Sequence, residues 1–526
     1  MADLTREEVE ELLENLRAVK EKIEAQEAMA EEEEDEEEPQ EGEPQEGELQ
    51  EEVPKENDEK EEKAVEDEAE KEKAVEDEAE KEKAVEDEAK EEKDAEDEAK
   101  EEKDVEKEEE DKEEEEEEEI PTLANLDLSG LDLSELNFYG VDITGSKLVG
   151  TNLRESDLSG STLDEADLTG ADLSECTFIE STLDRANLSK ANLENADLRK
   201  ASLQDVDMSE TILKEANLAR ANCARSNFRK AIITGSDLSR ANFKGCDLTQ
   251  TDLTDSKICV GVFYEADLSD SNLTRVDARG AKLFGAIFKN TVMPRTDFTG
   301  ADLTEAKING SDLTRANMSG AILRRTNLDT SDLSEANLTI ADLTGASLLK
   351  TTLTGANLNR IKLTEAKLNG AKLSGADLSR AKLGKADLSG VDLSGCNLEG
   401  ADFSEAQLDG SDLSRASLLE TVLEKANMKK AFLAGADLKK ANLNQANLEG
   451  ADLAGAKMNH STLLGTNLQG ADLRRADLGN ADLSKADLGN ANLTGCKLWE
   501  TNLDQTNLSG VDLTDVDMSR VIGYKP

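Results

Sequence analysis

The sequence predicts an all-β solenoid, in which short extended segments alternate with corners and wind the chain into a tube. A hydrophobic residue recurs at every fifth position from Leu123 to Met518, which makes 80 pentads without an insertion or deletion. A small residue stands two positions before most of these centres, as at Ala166 and Ala171, and the residue in between is usually Asp or Asn. A period of five fits neither a strand nor a helix.

The same pentad fits a short extended segment followed by a corner. The small residue and the centre point to one side, and the Asp or Asn points to the other, because successive strand side chains alternate. The last two residues turn the corner, often with glycine second, as at Gly150, Gly160 and Gly170, since glycine adopts turn conformations readily. Each pentad therefore places two residues inside the tube.

These pentads resemble the A(D/N)LXX motif of the pentapeptide-repeat family, over about 400 of the 526 residues. The resemblance implies a right-handed, four-sided parallel β-helix with four pentads in each coil. The positions before the centres include 31 Asp, and Asp pairs separated by two, three or five pentads number 12, 10 and 10, against only 5 pairs separated by four pentads. Because facing like charges destabilise paired strands, the deficit favours coils of four pentads. The pentads then form about 20 coils, spanning on the order of 95 Å.

Residues 1–30 are expected to contain one amphipathic helix. Thr5 and Glu8 fit a capping box, and an apolar stripe follows at helical spacing, formed by Val9, Leu12, Leu13, Leu16, Val19 and Ile23. An isolated helix of this length is marginal in water, so the stripe needs a partner. Either the helix packs on the exposed end of the solenoid, or it forms a coiled coil or docks on another protein.

Residues 31–120 are expected to form an acidic low-complexity linker. The first 120 residues hold 62 acidic and 17 basic side chains, whereas residues 121–526 hold 58 and 44. A ten-residue repeat beginning at Lys63 turns a helix by about 1000° per copy, so no continuous apolar face can form. We expect a disordered or transiently helical segment. It could act as a solubilising spacer or bind basic partners.

Residues 121–526 form the predicted β-helix, and its two ends differ. Inward positions that are small elsewhere hold Leu126, Leu131 and Leu136 in the first coil, which we expect to plug that end, because an open end exposes the core and unpaired backbone groups. At the other end the frame breaks at Gly523, leaving no room for a capping helix. Some family members dimerise through this terminus, so the resemblance implies a possible end-to-end homodimer through the C-terminal coil.

Catalysis, cofactors and metals are not expected. The lone histidine, His460, occupies a corner position, and the regular Asp column is accounted for by the fold. Six scattered cysteines predict neither a disulfide framework nor a metal site. The sequence has no signal peptide at its start and no apolar run near the ~20 residues of a membrane helix. We therefore expect a cytoplasmic protein without a membrane segment.

Binding sites are expected where outward positions depart from the pattern. Apolar residues occur mid-solenoid at Val262, Tyr264 and Phe284, of which the last two are four pentads apart and should stack. A basic zone runs from Arg360 to Lys385, with Lys in place of Asp at Lys362, Lys367, Lys372 and Lys382. It could receive the protein's own acidic linker or an acidic partner, or be only a solvated face. The only tryptophan, Trp499, lies outward near the C-terminal end.

The sequence therefore predicts a non-enzymatic scaffold for unidentified protein partners, tethered by its acidic N-terminal segment. The alternative is a DNA mimic that inhibits a DNA-binding enzyme, since bacterial members of the family protect DNA gyrase, a type II topoisomerase. The interleaving of Asp with Asn and Lys disfavours that alternative, and nucleic-acid binding is not expected.

Overall fold

The structure is a computed structural model that describes residues 4–34 and 122–524, with side chains described for 4–20 and 122–524. The acidic linker expected over 31–120 lies almost wholly outside these residues, so the division of the chain at residues 30 and 120 stays a prediction. Two compact units are present: one comprises Met1–Ala18 with Pro121–Pro526, and the other comprises Val19–Ile120. In the second unit only residues 19–34 are described.

The N-terminal helix, α1, spans Arg6–Glu34. Its expected capping box is confirmed: the Thr5 amide donates to Glu8 Oε2 at 2.6 Å, and the Glu8 amide donates to Thr5 Oγ1 at 3.3 Å. Hydrogen bonds from the Thr5 amide and hydroxyl hold the pKa of Glu8 below its usual value. The cap fixes where the helix begins, because two otherwise unpaired amides find partners.

The remaining secondary structure consists of isolated parallel β-bridges, one in each pentad from Asp127 to Asp512, and a last one at Ile522. Each bridge joins residues four pentads apart, as in Asp127 with Lys147 and Asn502 with Ile522. This spacing agrees with the coil length inferred from the aspartates. Among the described residues no strand is longer than one bridging residue, because the rest of each pentad is taken up by turning the corner.

We number the pentad so that position 1 is the small residue and position 3 the apolar centre. Every amide of a typical pentad has a partner, which the pentad 166–170 illustrates. The Ala166 amide at position 1 donates within the corner to Leu163 O at 3.1 Å, and the Asp167 amide at position 2 donates to Ser146 O of the preceding coil at 2.9 Å. The amides at positions 3 and 5 donate to the next coil, to Asn187 O at 2.7 Å and Ser189 O at 2.9 Å. The Thr169 amide at position 4 donates to Asp167 Oδ1 at 3.1 Å.

The preference for Asp or Asn at position 2 follows from this arrangement. Its side-chain oxygen accepts the amide two residues later, as an Asx turn does, and Ser or Thr at position 4 often adds a hydroxyl hydrogen bond, as Thr169 does to Asp167. The acidic column thus completes the backbone hydrogen bonding of the corners.

The core runs along the inside of the tube. Position 3 is buried from Leu123 to Leu503, and position 1 is buried from Val141 to Thr501. Hydroxyls at position 1 remain satisfied because they donate to nearby carbonyls, as Thr151 does to Leu128 O at 2.8 Å. Cys176 does the same to Leu153 O, and burial raises the pKa of its thiol to about 12. All six cysteines are free, and five are buried.

The N-terminal coil is covered by the first turns of α1. Val9 and Leu13 are buried, and Leu4, Leu12 and Leu16 pack against the same core, together with Leu126, Leu131 and Leu136. The leucines expected to plug the end therefore form the seat of a helix. Of the two expectations for the apolar stripe, packing on the solenoid end is the one found for residues 4–16.

Two arginines of α1 replace backbone donors that a preceding coil would supply. Elsewhere, carbonyls at positions 2 and 4 accept amides from the coil before. In the first coil, Arg6 donates to Asp132 O and Ser134 O at 3.1 Å each, and Arg17 donates to Asn137 O at 2.8 Å. The helix therefore covers both the apolar and the polar part of this end.

The C-terminal coil has no such cover within the described residues. Six inward residues are only half-buried there, namely Leu508, Val511, Leu513, Val516, Met518 and Val521. Their equivalents in the covered first coil at position 3 are fully buried.

A pair of substitutions to Asp tests the assignment of inside and outside. Leu333 is fully buried at position 3, so Leu333→Asp places an unpaired charge in the core and should cost several kcal/mol of unfolding free energy. Asn337→Asp keeps the Oδ1 acceptor of Thr339 but loses the hydrogen bond from Asn337 Nδ2 to Asn317 Oδ1 at 3.0 Å, so it should cost only about 1 kcal/mol. Urea denaturation measures both; equal effects would contradict the assignment.

Candidate functional site

One face of the solenoid brings together several outward residues that depart from the pattern, both apolar and basic. Another ladder carries the exposed apolar residues Ile212, Ile232, Val292 and Phe432. A single ladder of bridges connects Val262, Lys282, Asp302, Ile322, Asp342, Lys362, Lys382 and Asp402 in consecutive coils. The apolar cluster and the basic zone, which look separate in sequence, thus share a face. We call residues 260–264 and the same positions of the next six coils, up to 380–384, the apolar–basic face.

The first part of the apolar–basic face is apolar. Phe284 is 38% exposed, and Tyr264 and Val262 are half-buried in the preceding coil. Tyr264 and Phe284 follow each other in register, since the Glu265 amide donates to Phe284 O. Val260, Ile322 and Ile340 extend the exposed apolar surface, at 49%, 37% and 53% exposure.

The backbone at two of these residues is strained. Val260 and Ile340 both occupy position 5 of the pentad with φ of 55°, in the left-handed region. Glycine adopts this conformation freely, whereas a β-branched residue there costs about 1–2 kcal/mol. The fold alone therefore disfavours both residues, and strain that persists at an exposed position is a pointer to function.

The core beneath the apolar part is adapted to it. Phe243 and Phe263 stack inside the tube with ring centroids 4.9 Å apart. Gly261 takes the place of the usual alanine, because a methyl group there would lie 2.8 Å from Phe263 Cε2. The wide aromatic ring is thus accommodated without moving Val260 and Val262 out of register.

The second part of the apolar–basic face is basic. Lys362 bridges to Lys382, and Arg360 and Arg380 lie two residues before them, at the corner of the same two coils. All four are exposed. Within the described part of the chain, Arg360, Arg380 and Lys382 make no ion pair, and Lys362 Nζ lies 3.5 Å from Asp342 Oδ2.

Asp342 joins the apolar and basic parts. It is 7% exposed, accepts Thr344 Oγ1 at 2.6 Å, and pairs with Arg324 Nη2 at 2.9 Å. Although burial acts to raise it, these hydrogen bonds and the positive charge of Arg324 hold the pKa of Asp342 below its usual value. The Asp342 carboxylate thus has its main partners in Thr344 and Arg324, and Lys362 is a more distant neighbour.

Two expected site residues lie elsewhere. Lys367 bridges to Ser347 and Asp387 on the neighbouring face. Trp499, 42% exposed, lies six coils beyond residue 379 at the equivalent corner, with its indole over Gly479. The assignment of these side chains to partner binding stays a prediction, as it does for Val262, Tyr264, Phe284, Lys362 and Lys382.

Sequence reasoning missed Ile322 and Ile340, although a signal was present. Val262 and Lys362 are separated by a whole number of coils, so the apolar and basic clusters had to share a ladder. Taking outward residues at whole-coil spacing also brings in Ile322, and the corner column from 260 to 380 brings in Ile340.

Chemical groups for catalysis are sparse in this arrangement. Among residues 4–34 and 122–524, no cluster of His, Cys, Asp or Glu has the geometry to hold a metal ion. None of the helical residues described forms a segment long and apolar enough to cross a membrane. His460 is exposed at a corner.

Comparison with protein families decides the classification. The family model described as pentapeptide repeats matches residues 145–255 and 262–522 in overlapping copies. The chain belongs to the pentapeptide-repeat family. The gap in the family match contains Cys259 and Val260, at the start of the apolar–basic face.

Solved pentapeptide-repeat structures resemble parts of the chain. HetL, from the cyanobacterium Nostoc sp. strain PCC 7120, is 30% identical and aligns over 49% of this chain and 88% of its own, with a TM-score of 0.13. A protein of the Arabidopsis thaliana thylakoid lumen is 32% identical over 21% of this chain and 68% of its own, at 0.12.

Full-length QnrB1, a plasmid-mediated fluoroquinolone resistance protein, is 19% identical and covers 49% of this chain and 94% of its own, at a TM-score of 0.18. No curated protein sequence matches the chain.

Replacing Asp342 tests its engagement through pH. Asp342→Asn retains an oxygen for Thr344 but loses the charge that faces Arg324, so it should cost about 1–3 kcal/mol at pH 7. Because the native pKa is lowered, this contribution is complete above about pH 4 and is lost as the pH falls through the native pKa. Urea denaturation of wild type and variant should therefore converge on acidification.

Asp302→Asn is the matched control on the same ladder. Asp302 accepts the Thr304 amide and hydroxyl through Oδ1 and has no ion pair within the described residues. Its replacement should cost about 0.5 kcal/mol or less at either pH. A loss at Asp342 that does not depend on pH would contradict the ionic role.

Proposed function

We propose that this pentapeptide-repeat protein is a non-enzymatic scaffold that holds protein partners against its apolar–basic face. The observation that carries the proposal is that exposed apolar residues, such as Phe284 and Ile340, share one face with the stacked cations Lys362 and Lys382 and the neighbouring arginines. Exposed apolar residues bordered by charged residues are typical of protein interfaces.

The finer architecture is part of the proposal. About 20 right-handed, four-sided coils would form a rod on the order of 95 Å long, with residues 31–120 as an acidic tether and a cytoplasmic location. A shallow groove of about 300 Å³ near Arg315 and Glu335 is a weaker candidate for a binding site than the apolar–basic face, because its two charged side chains pair with each other at 2.8 Å.

The DNA-mimic alternative has weaker support. A mimic needs a continuous acidic surface, but bridges along the ladders alternate Asp with Asn and Lys, as in Asp237, Lys257 and Asp277. Inhibition of a type II topoisomerase by the full chain would favour the mimic over the scaffold.

Crosslinking mass spectrometry tests the scaffold proposal. The full-length protein is treated with a lysine-reactive crosslinker in extract of the cells that produce it. Crosslinks to other proteins should concentrate at Lys282, Lys362 and Lys382, all exposed on the apolar–basic face. The matched lysines, Lys147, Lys257 and Lys457, are equally exposed on other faces. Equal yields of crosslinks from the two sets of lysines would contradict the proposal.

We also propose an end-to-end homodimer through the C-terminal coil. Its half-buried Leu508, Leu513 and Met518 leave apolar surface that a second copy would cover. Sedimentation velocity of the full chain at micromolar concentration should show a dimer, which Leu513→Asp dissociates and Thr514→Asp, at the exposed neighbouring position, leaves intact. A monomer at all concentrations would exclude the dimer.

A further inference from the structure

Four cations on the apolar–basic face form a compact cluster, which we call the basic quartet: Arg360, Lys362, Arg380 and Lys382. Consecutive coils are about 4.8 Å apart, and residues two apart in the chain are separated by at most about 7 Å. The bridge between Lys362 and Lys382 and the hydrogen bond from the Arg360 amide to Ser379 O fix both pairs in this register. Four positive charges therefore project from an area of a few ångströms on each side.

The fold does not require these cations at these positions. Like charges bridged across coils destabilise the ladder, and Lys362 and Lys382 are such a pair. Other lysines at position 2 avoid this arrangement: Lys147, Lys257 and Lys457 each bridge to Asp on both sides. The quartet is the place where the charge alternation of the ladders is broken in favour of positive charge.

Lysine at position 2 also removes a corner hydrogen bond. An Asp or Asn there accepts the amide at position 4, as Asp402 does from Ser404 at 2.9 Å. Within the described residues, the amides of Thr364 and Gly384, which follow Lys362 and Lys382, have no such acceptor. Other position 2 lysines, such as Lys147 and Lys257, share the loss of the corner hydrogen bond, but only Lys362 and Lys382 also stack like charges. This stacking of positive charge points to a negatively charged ligand.

An exposed apolar side chain, that of Ile340, lies on the coil that precedes the quartet. Ile340 occupies the same corner column as Arg360, is 53% exposed and has the strained φ of 55°. Its side chain leans toward Gly320, where an added methyl group would lie 3.8 Å from Ile340 Cδ1. Exposed isoleucine beside four cations matches a ligand that carries an apolar group next to negative charges.

We propose that the basic quartet and Ile340 bind an acidic peptide segment of a partner protein, with an apolar residue adjacent to its carboxylates. The proposal deepens the scaffold function and rests on it for the partner being a protein. Carboxylates would form charge-assisted hydrogen bonds with Arg360 and Arg380, while the apolar residue packs on Ile340.

A short acidic segment fits this site better than a nucleic acid. Duplex DNA carries one charge per about 1.7 Å, so beyond the quartet its backbone would meet the acidic remainder of the solenoid, where acidic residues outnumber basic ones by 58 to 44 over residues 121–526. Charges beyond about 8 Å are screened at physiological salt, so a few carboxylates meet the quartet and its ladder neighbours Asp342 and Asp402, of which Asp342 is already paired with Arg324.

Fluorescence anisotropy on the full-length protein tests the site. The probe is a labelled twelve-residue peptide of Asp and Glu with one central leucine, titrated at physiological salt. Arg380→Glu with Lys382→Glu should weaken binding by about tenfold or more. The matched control is Arg220→Glu with Arg240→Glu: these arginines are also exposed, lie at the same corner column in consecutive coils and make no ion pair within the described residues.

Two further variants separate binding from folding. Arg380→Gln with Lys382→Gln removes charge without reversing it and should still weaken binding severalfold. Ile340→Gly relieves the left-handed strain, so its thermal midpoint should not fall, yet it should weaken the leucine peptide more than a peptide with serine in its place. A structural role alone would not produce that dependence on the peptide residue.

The outcomes are distinct. Equal weakening by the 380/382 and 220/240 pairs, or no saturable binding of the peptide, would overturn the acidic-peptide site. Tighter binding of a single-stranded or duplex DNA of equal charge would overturn the choice of a protein ligand. If crosslinks still concentrate on the face while the peptide fails to bind, the scaffold function stands and only this ligand is wrong.

Discussion

The solenoid depends on one constraint: the backbone amides of a pentad find their acceptors at fixed offsets along the chain. Two residues contact the next coil, one contacts the preceding coil, and two are satisfied within the corner, one of them by the position 2 side chain. An insertion of one residue would put all downstream partners out of register. This explains why the pentad frame continues for 80 units without interruption.

The same constraint separates fold from function on the surface. Where position 2 is Asp or Asn, its side chain accepts the amide that completes the corner. Where position 2 is Lys, as at Lys147 and Lys457, the bridged residues on the coils before and after are Asp. A residue that gives up the corner hydrogen bond, stacks like charges or forces a β-branched side chain into the left-handed region weakens the fold. Several such residues lie on the apolar–basic face, namely Val260, Ile340 and the Lys362–Lys382 pair.

Much of the architecture could be predicted from the sequence, because period five allows little else. Position in the pentad identifies inward residues such as Leu333, and aspartate pairs identify the coil length. The role of Asp167 in accepting the Thr169 amide was not predicted, since alternation along a strand shows only that this side chain points outward. The packing of Val9 and Leu13 on the first coil could not be chosen from the sequence, because any apolar surface satisfies an amphipathic stripe. The apolar–basic face is formed by residues that are distant in sequence, such as Ile340 and Arg360, and that become neighbours only when the chain is arranged in coils of 20 residues.

The helical cover of the first coil has a consequence for assembly. A stack of solenoids can propagate without limit when each copy offers two complementary open ends, which is how head-to-tail contacts generate filaments. Here Val9, Leu13, Arg6 and Arg17 occupy the surface that an incoming coil would need. The proposed pairing through the opposite end would therefore be self-terminating: two copies would close the assembly, and α1 would prevent fibrous growth by covering the first coil of each copy.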